Sequence, residues 1–249
     1  MDDLCRRVAG DPQSVVAKVT KGGYLNQLAP GDLLVVLEGA ATVEYTAKDR
    51  CATTLMIVSA GECMAPWGLK SPGVGRRIRV RALTPVVTAR VSLVSVVRRF
   101  RDDAAAMAMV VLKLGAQQAD LLTRLATVSE RNAVPRVSEA VRYLQKKLGQ
   151  ACPFAPGAYI DVSQSEIARM AGQTRQTING VLQRLRAAGI LHLERGRICV
   201  RDVAGLDAAA QGAGIVRRFE PARSCRLALG RGAVECYPLR RAKAPARPS

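Results

Sequence analysis

The residue types best suited to chemistry lie between positions 163 and 201, and they suit recognition rather than catalysis. Arg175, Gln176 and Asn179 fall at the start of a predicted helix. An arginine can grip a guanine edge through two hydrogen bonds, and Gln or Asn an adenine edge. Each such pair discriminates by roughly 1–3 kcal/mol. Thr174 is a natural N-cap for this helix, Ile178, Val181, Leu182 and Leu185 form one apolar face, and Gly189 is the stop. Just upstream, Ser163 followed three residues later by Glu166 is a capping box that fixes another helix start. Ile167, Ala168 and Met170 supply the apolar side of that helix, and Gly172 ends it in the left-handed conformation. Two short helices joined by a turn containing Gly read as a helix-turn-helix. Downstream, 190–193 and 198–201 around Glu194-Arg195-Gly196-Arg197 read as a two-stranded wing. Arg195 and Arg197 at its tip would reach the sugar-phosphate backbone, which positions a protein without specifying sequence. Ser163, Gln164, Gln173 and Thr174 complete the set expected at double-stranded DNA. The plainer alternative is a helical hairpin whose Arg and Gln only solvate an outer face. Capping box, Gly turn, polar helix start and wing, in that order, favour DNA.

Composition narrows the field in the same direction. The 249 residues suffice for two ordinary domains, and 49% are apolar, enough for real cores. Lys and Arg number 38 against 20 Asp and Glu, a net charge of +18. Such an excess favours a polyanionic partner through counterion release. On its own it does not separate DNA from RNA, an anionic membrane surface or a mere solubility charge. The seven cysteines, at 5, 51, 63, 152, 199, 225 and 236, form no C-x-x-C. With a single histidine, His192, neither a Cys/His zinc site nor Ser–His or Cys–His catalysis is expected. No catalytic residue, metal or cofactor is therefore assigned. The longest wholly apolar run, Ala104 to Leu112, is less than half of the ~20 residues a spanning helix needs. The acidic start lacks the apolar stretch of a secretory signal, so a cytoplasmic protein without membrane attachment is the expectation.

The elements that must position the recognition residues can be read along the chain. Turn signals at Gly22-Gly23, Pro30-Gly31-Asp32, Gly39, Gly61, Pro72-Gly73 and Pro85 separate short strands at 33–37, 41–46, 54–58, 78–82 and 86–91. That pattern predicts an α+β protein with an N-terminal, jelly-roll-like β-sandwich over 1–101. From 102 to about 132 the composition turns helical, with one Gly and no Pro. Met107, Val111, Leu114, Gln118, Leu121, Leu125 and Val128 alternate steps of three and four, an a/d seam expected to pair with its own copy. The other reading lays this helix on the sandwich, with Leu112, Leu122 and Ala126 as a second apolar edge. Pro135 ends or bends it, and a second helix follows from about Arg136 to Leu148. A linker is expected over 149–158, the winged helix-turn-helix within 135–210, and a basic tail over 211–249. The tail holds nine basic and two acidic residues, with a hairpin around Gly230-Arg231-Gly232 or disorder as its alternatives.

Sandwich, long helix, short helix and winged helix-turn-helix in this order resemble the Crp/Fnr superfamily of transcription regulators. The resemblance covers about 15–206 and is most specific over 163–200. There the sequence is similar to the family's pattern S-x-x-E-I-A, G-x-[ST]-R-x-T-[IV] and L-x-x-x-G-[IL]-[IL]. It implies that Arg175 reads a base, with Gln176 and Asn179 beside it; where many members carry a second arginine this sequence has Gly180. It also implies a cyclic-nucleotide pocket, from which this sequence departs. Pro66 stands where the ribose-binding Glu falls, and Arg77 replaces the small hydroxyl residue beside the phosphate-binding Arg76. Cyclic AMP is therefore not expected, although Arg76 and Arg77 are a candidate anion or effector site. Only Cys5 precedes residue 51 and no His lies in the sandwich, which speaks against iron–sulfur and haem sensing. The expected function is that of a homodimeric, sequence-specific transcription regulator on an inverted-repeat operator. Its effector is unidentified, and RNA polymerase is a candidate further partner. The alternative is a constitutive architectural nucleic-acid binder with little sequence preference. An enzyme comes third, because no motif places a nucleophile beside a base or pairs two carboxylates.

Overall fold

The computed structural model describes residues 3–25, 29, 31–47, 52–65, 77–152, 157–194, 196–215, 226–227 and 234–235. The chain opens with helix α1 (Asp3–Ala9), followed by strands β1 (Val15–Val19), β2 (Asp32–Glu38), β3 (Ala40–Thr46), β4 (Ala52–Ser59), β5 (Cys63–Met64), β6 (Ile78–Ala82) and β7 (Val86–Ser92). Two antiparallel sheets result, in the orders β1-β7-β2-β5 and β4-β3-β6. All five expected strands are present, each within two residues of its expected bounds. The short α1, β1 and β5 lack a periodicity long enough to announce them.

Strand alternation explains the layers. Leu34 and Val36 of β2 meet Val43, Met56, Val58, Val80 and Val86 between the two sheets. Leu33 and Val35, on the opposite face of β2, meet α1, helix α2 (Leu93–Arg99) and the start of helix α3 (Ala104–Ser129). A strand buried on both faces needs an unbroken apolar run, which is how Leu33 to Leu37 reads.

Helix α3 starts where the Asp103 carboxylate accepts from Ala106 N and runs 26 residues, about 39 Å at 1.5 Å per residue. By length and mean hydropathy it could cross a bilayer, despite its short unbroken apolar run. Its charged positions and Gln117, however, turn toward the sandwich. Lys113 donates to Gly61 O at 2.7 Å, Gln117 donates to Cys63 O, and Arg124 donates to Thr54 O at 3.3 Å. Ala106, Val110 and Thr127 share that inward face. α3 does lie on the sandwich, as the alternative reading has it, but Leu112, Leu122 and Ala126 form no edge against it: they face outward. Of the expected seam, Met107, Leu114 and Val128 are half-buried, whereas Val111, Gln118, Leu121 and Leu125 are exposed. Val111, Leu112, Leu122 and Leu125 are each 62–67% exposed, an apolar face unusual for surface side chains.

Helix α4 (Ala133–Leu148) begins two residues before Pro135, not after it. Pro135 is tolerated in the first turn, where its missing N–H has no intrahelical partner to lose. Strands β8 (Gln150–Ala151) and β9 (Ala158–Ile160) follow, then helices α5 (Gln164–Ala171) and α6 (Arg175–Ala187), strands β10 (Leu191–Glu194) and β11 (Arg197–Val200), and helix α7 (Val203–Ala210). The expected 149–158 linker is thus partly strand, because β9 pairs with both β8 and β11. Farther on, β12 (Arg226–Leu227) pairs with β13 (Val234–Glu235), in keeping with the hairpin alternative; the rest of 216–249 lies outside the described residues.

The C-terminal helices pack on the outer face of β4-β3-β6. Ala40, Ile57 and Leu83 share one buried cluster with α4, α5 and α6. Charges reinforce the contact. Arg81 of β6 holds Glu44 at 2.6 Å and Glu166 of α5 at 2.8 Å, all three side chains being at most 13% exposed. Burial works against the Arg81 cation, but the hydrogen bond to Glu44 and the charge of Glu166 outweigh it and raise its pKa. Glu166 spends its carboxylate on Arg81 and Arg169, so only half of the expected capping box forms. Lys147 likewise bridges Glu62 at 2.5 Å and Asp120 at 2.7 Å. The Tyr143 hydroxyl accepts from Ile57 N at 3.2 Å, and burial pushes its pKa up to about 12. Replacing Arg81 by Ala leaves two buried carboxylates with a depleted set of cations. It should cost about 3 kcal/mol, read from the urea midpoint at neutral pH.

Candidate nucleic-acid interface

Three buried helix faces set the position of α6. Val137, Ala140, Val141 and Leu144 of α4 interlock with Ile167 and Met170 of α5 and with Ile178, Leu182 and Leu185 of α6, all at most 1% exposed. Burying a Leu or Ile is worth roughly 1.5–3 kcal/mol, so rotation of α6 about its axis is strongly resisted. What remains outside is the opposite face.

The helix ends are fixed by the expected local chemistry. Ser163 Oγ accepts from Glu166 N at 3.2 Å, and Gly172 closes α5 with φ +58°. Thr174 Oγ1 accepts from Thr177 N at 3.2 Å and starts α6. Gly189, with φ +79°, lets Ile190 N reach Leu185 O at 3.0 Å. A contributor that local sequence does not announce is Arg136. Its guanidinium donates to Ala171 O and Gly172 O, each at 3.1 Å, and so holds the turn ahead of Thr174 from outside the motif.

Arg175, Gln176 and Asn179 are exposed at the start of α6, as are Ser163 and Thr174; Gln164 and Gln173 are half-buried. Between α5, α6 and the wing lies a cleft of about 330 Å³ lined by Ser163, Gln164, Ser165, Arg175, Gly196 and Arg197, among others. The structure therefore brings Ser163, Gln164, Arg175 and Arg197 to one concavity at the start of two helices. Free backbone N–H groups and the positive end of each helix dipole favour an anion there. Arg197 Nη1 is enclosed and finds no acceptor among the described residues. Its guanidinium lies over the Tyr159 ring, 5.9 Å from the centroid. Arg195, expected at the wing tip, lies outside the described residues.

The wing is broader than two strands. β10 and β11 pair with register Leu191↔Val200 to Glu194↔Arg197, and β9 and β8 extend them to a four-stranded sheet. This stiffer base fixes where Arg197 stands. His192 is half-buried on β10, and burial with Arg201 nearby holds its pKa below the ordinary value. Among the described residues, no group of three or more His, Cys, Asp or Glu is placed to hold a metal ion.

Arg77 donates to the Tyr45 hydroxyl at 3.4 Å, while Arg76 lies outside the described residues, as does Pro66.

Residues 136–209 match the model of the Crp-like helix-turn-helix domain. Solved structures similar to the whole fold include FixK2 from Bradyrhizobium japonicum, at 15% identity and a TM-score of 0.64, with 79% of this chain and 96% of that one covered. A CRP-family transcriptional regulator from Thermus thermophilus gives 22% identity and a TM-score of 0.64, covering 81% and 100%. The c-di-GMP responsive global regulator CLP of Xanthomonas campestris gives 19% and 0.61, covering 80% and 99%. No curated protein matches the sequence. The chain thus carries a Crp-like helix-turn-helix domain, and its fold is similar to that of solved regulators of the CRP and CRP/FNR families.

The Thr174 cap is separable from base contact. Thr174→Ala should destabilise the protein by about 1 kcal/mol, measured by thermal unfolding, whereas Thr174→Ser should restore most of that loss.

Proposed function

We propose that this protein is a homodimeric transcription regulator that reads an inverted-repeat operator with the amino-terminal half of α6. The observation that carries this reading is the exposure of Arg175, Gln176 and Asn179 on a helix whose other face is locked into the core. Arg175 would grip a guanine edge, with Gln176 and Asn179 on neighbouring bases. Ser163, Gln164, Gln173, Thr174, Arg195 and Arg197 would hold the flanking phosphates and set register.

The outward apolar face of α3 supports pairing with a second copy. Val111, Leu112, Leu122 and Leu125 are an expensive surface for a monomer, and they continue the expected seam around the helix. Two copies joined there would present two α6 helices to half-sites about one turn, roughly 34 Å, apart. Residues 1–101 would serve as an effector-type platform, 102–134 as the pairing helix, 135–210 as the reader and 211–249 as a basic tail. The effector is not cyclic AMP on this reading, and a cytoplasmic location with access to RNA polymerase follows from the proposed role.

Selection of bound sites from a random duplex pool should return a palindromic consensus. Arg175→Ala should weaken the selected site by roughly 1–3 kcal/mol and leave unrelated duplexes little changed. An architectural binder would instead return no consensus and be indifferent to Arg175. For pairing, the double variant Leu112→Glu, Leu122→Glu should sediment as a monomer at micromolar concentration, with the parent protein a dimer. A parent protein that sediments as a monomer would count against the homodimer.

A further inference from the structure

Glu166 stands where its charge matters. It is the acidic residue in the first turn of α5, and its backbone N–H donates to Ser163 Oγ at 3.2 Å. The positive end of a helix attracts a nearby carboxylate as it does a phosphate. A free Glu166 carboxylate would therefore compete at the end of α5 that offers Ser163 and Gln164 to the cleft. The complete capping box expected from the sequence is that competing arrangement, with the carboxylate turned back on the backbone N–H of Ser163.

The structure diverts it. Glu166 Oε2 accepts from Arg81 Nη2 at 2.8 Å and Oε1 from Arg169 Nη2 at 2.6 Å, so both oxygens are engaged. Arg169 is on the same helix and its side chain is 33% exposed, so water screens that pair. Arg81 comes from β6 of the sandwich and is 12% exposed, so its charge acts with less screening. Two further hydrogen bonds, from Arg81 Nε and Nη2 to Glu44 Oε1, keep the guanidinium in place. Glu44, Arg81, Glu166 and Arg169 together carry no net charge.

We infer that Arg81 is a positioning residue of the nucleic-acid interface: from the sandwich it holds and neutralises the Glu166 carboxylate, and so leaves the positive end of α5 open to a backbone phosphate. The inference rests on α5 and α6 being the DNA-contacting helices. Because a phosphate contact carries no sequence information, Arg81 contributes to affinity and not to the choice of site.

The test uses the full-length protein, with binding measured at low ionic strength on a duplex selected from a random pool and on an unrelated duplex. The double variant Glu44→Gln, Arg81→Gln replaces the buried ion pair by two amides, keeps the net charge of the chain, and leaves Glu166 without its sandwich cation. It should bind both duplexes about fivefold more weakly, and the loss should shrink as salt is raised. Adding Glu166→Gln should restore binding, whereas Glu166→Gln in the parent protein should change it little. An equal effect of Glu166→Gln in both backgrounds overturns the inference, since net charge alone would produce it. Unchanged binding by the double variant overturns it too. So does weaker binding by Glu166→Gln alone, because Arg81 would then serve only to dock α5 on the sandwich. That single variant leaves Arg81 paired with Glu44, and it keeps the test open if thermal unfolding shows that the double variant does not fold. Arg175→Ala is the control. If it weakens the selected site while Glu166→Gln acts alike in both backgrounds, only the role of Arg81 fails. If the parent protein binds no duplex, the reading of α5 and α6 fails with it.

Discussion

The structure depends on one constraint: the apolar side of α6 is clamped between α4 and α5, so its polar side has a single way to face. Ile178, Leu182 and Leu185 are fully buried, and a turn of α6 about its own axis would bring charge into that core. Arg175, Gln176 and Asn179 inherit their direction from this packing. The Thr174 cap, the Gly172 turn and the Arg136 brace determine where the helix begins, and the core determines where it looks.

The same principle operates with opposite polarity in α3. Its inward face carries Lys113, Gln117, Asp120 and Arg124 beside Ala106 and Val110, whereas its outward face is largely aliphatic. Lys113 and Gln117 donate to sandwich carbonyls, Lys147 meets Asp120 at 2.7 Å, and Arg124 donates through Nη2 to Thr54 O and Met170 O while its Nε and Nη1 are buried without an acceptor among the described residues. For a single chain this is an inverted amphipathic helix. It makes physical sense when the aliphatic face is covered by something equally apolar, and this is the basis for assigning that face to a second copy.

What could be read from sequence, and what could not, follows the range of the interactions. Ser163, Gly172, Thr174 and Gly189 act on backbone within four residues, so their types alone announced two helices and the turn between them. The strands over 33–37 and 78–82 are legible for the same reason, as short runs between turn signals. Arg136 was not legible, because its acceptors lie 35 and 36 residues away. Nor was the diversion of Glu166 to Arg81, a partner 85 residues distant. The face that α3 turns to the sandwich is not legible, because apolarity is the usual guide to burial, and here carbonyl groups of the sandwich supply partners instead. β8 and β9 escaped notice because two- and three-residue strands have no period to detect.

One further consequence attaches to the cluster that joins Ile57 and Leu83 to the helices of the reader. A core shared across 134–135 gives that point no seam at which the chain could be parted. Excising the C-terminal portion would strip Tyr143 and Leu144 of part of their covering and strand the Glu166 carboxylate without Arg81. The sandwich then completes the core of α4, α5 and α6, and damage to either part should be felt as a loss of cooperativity in both.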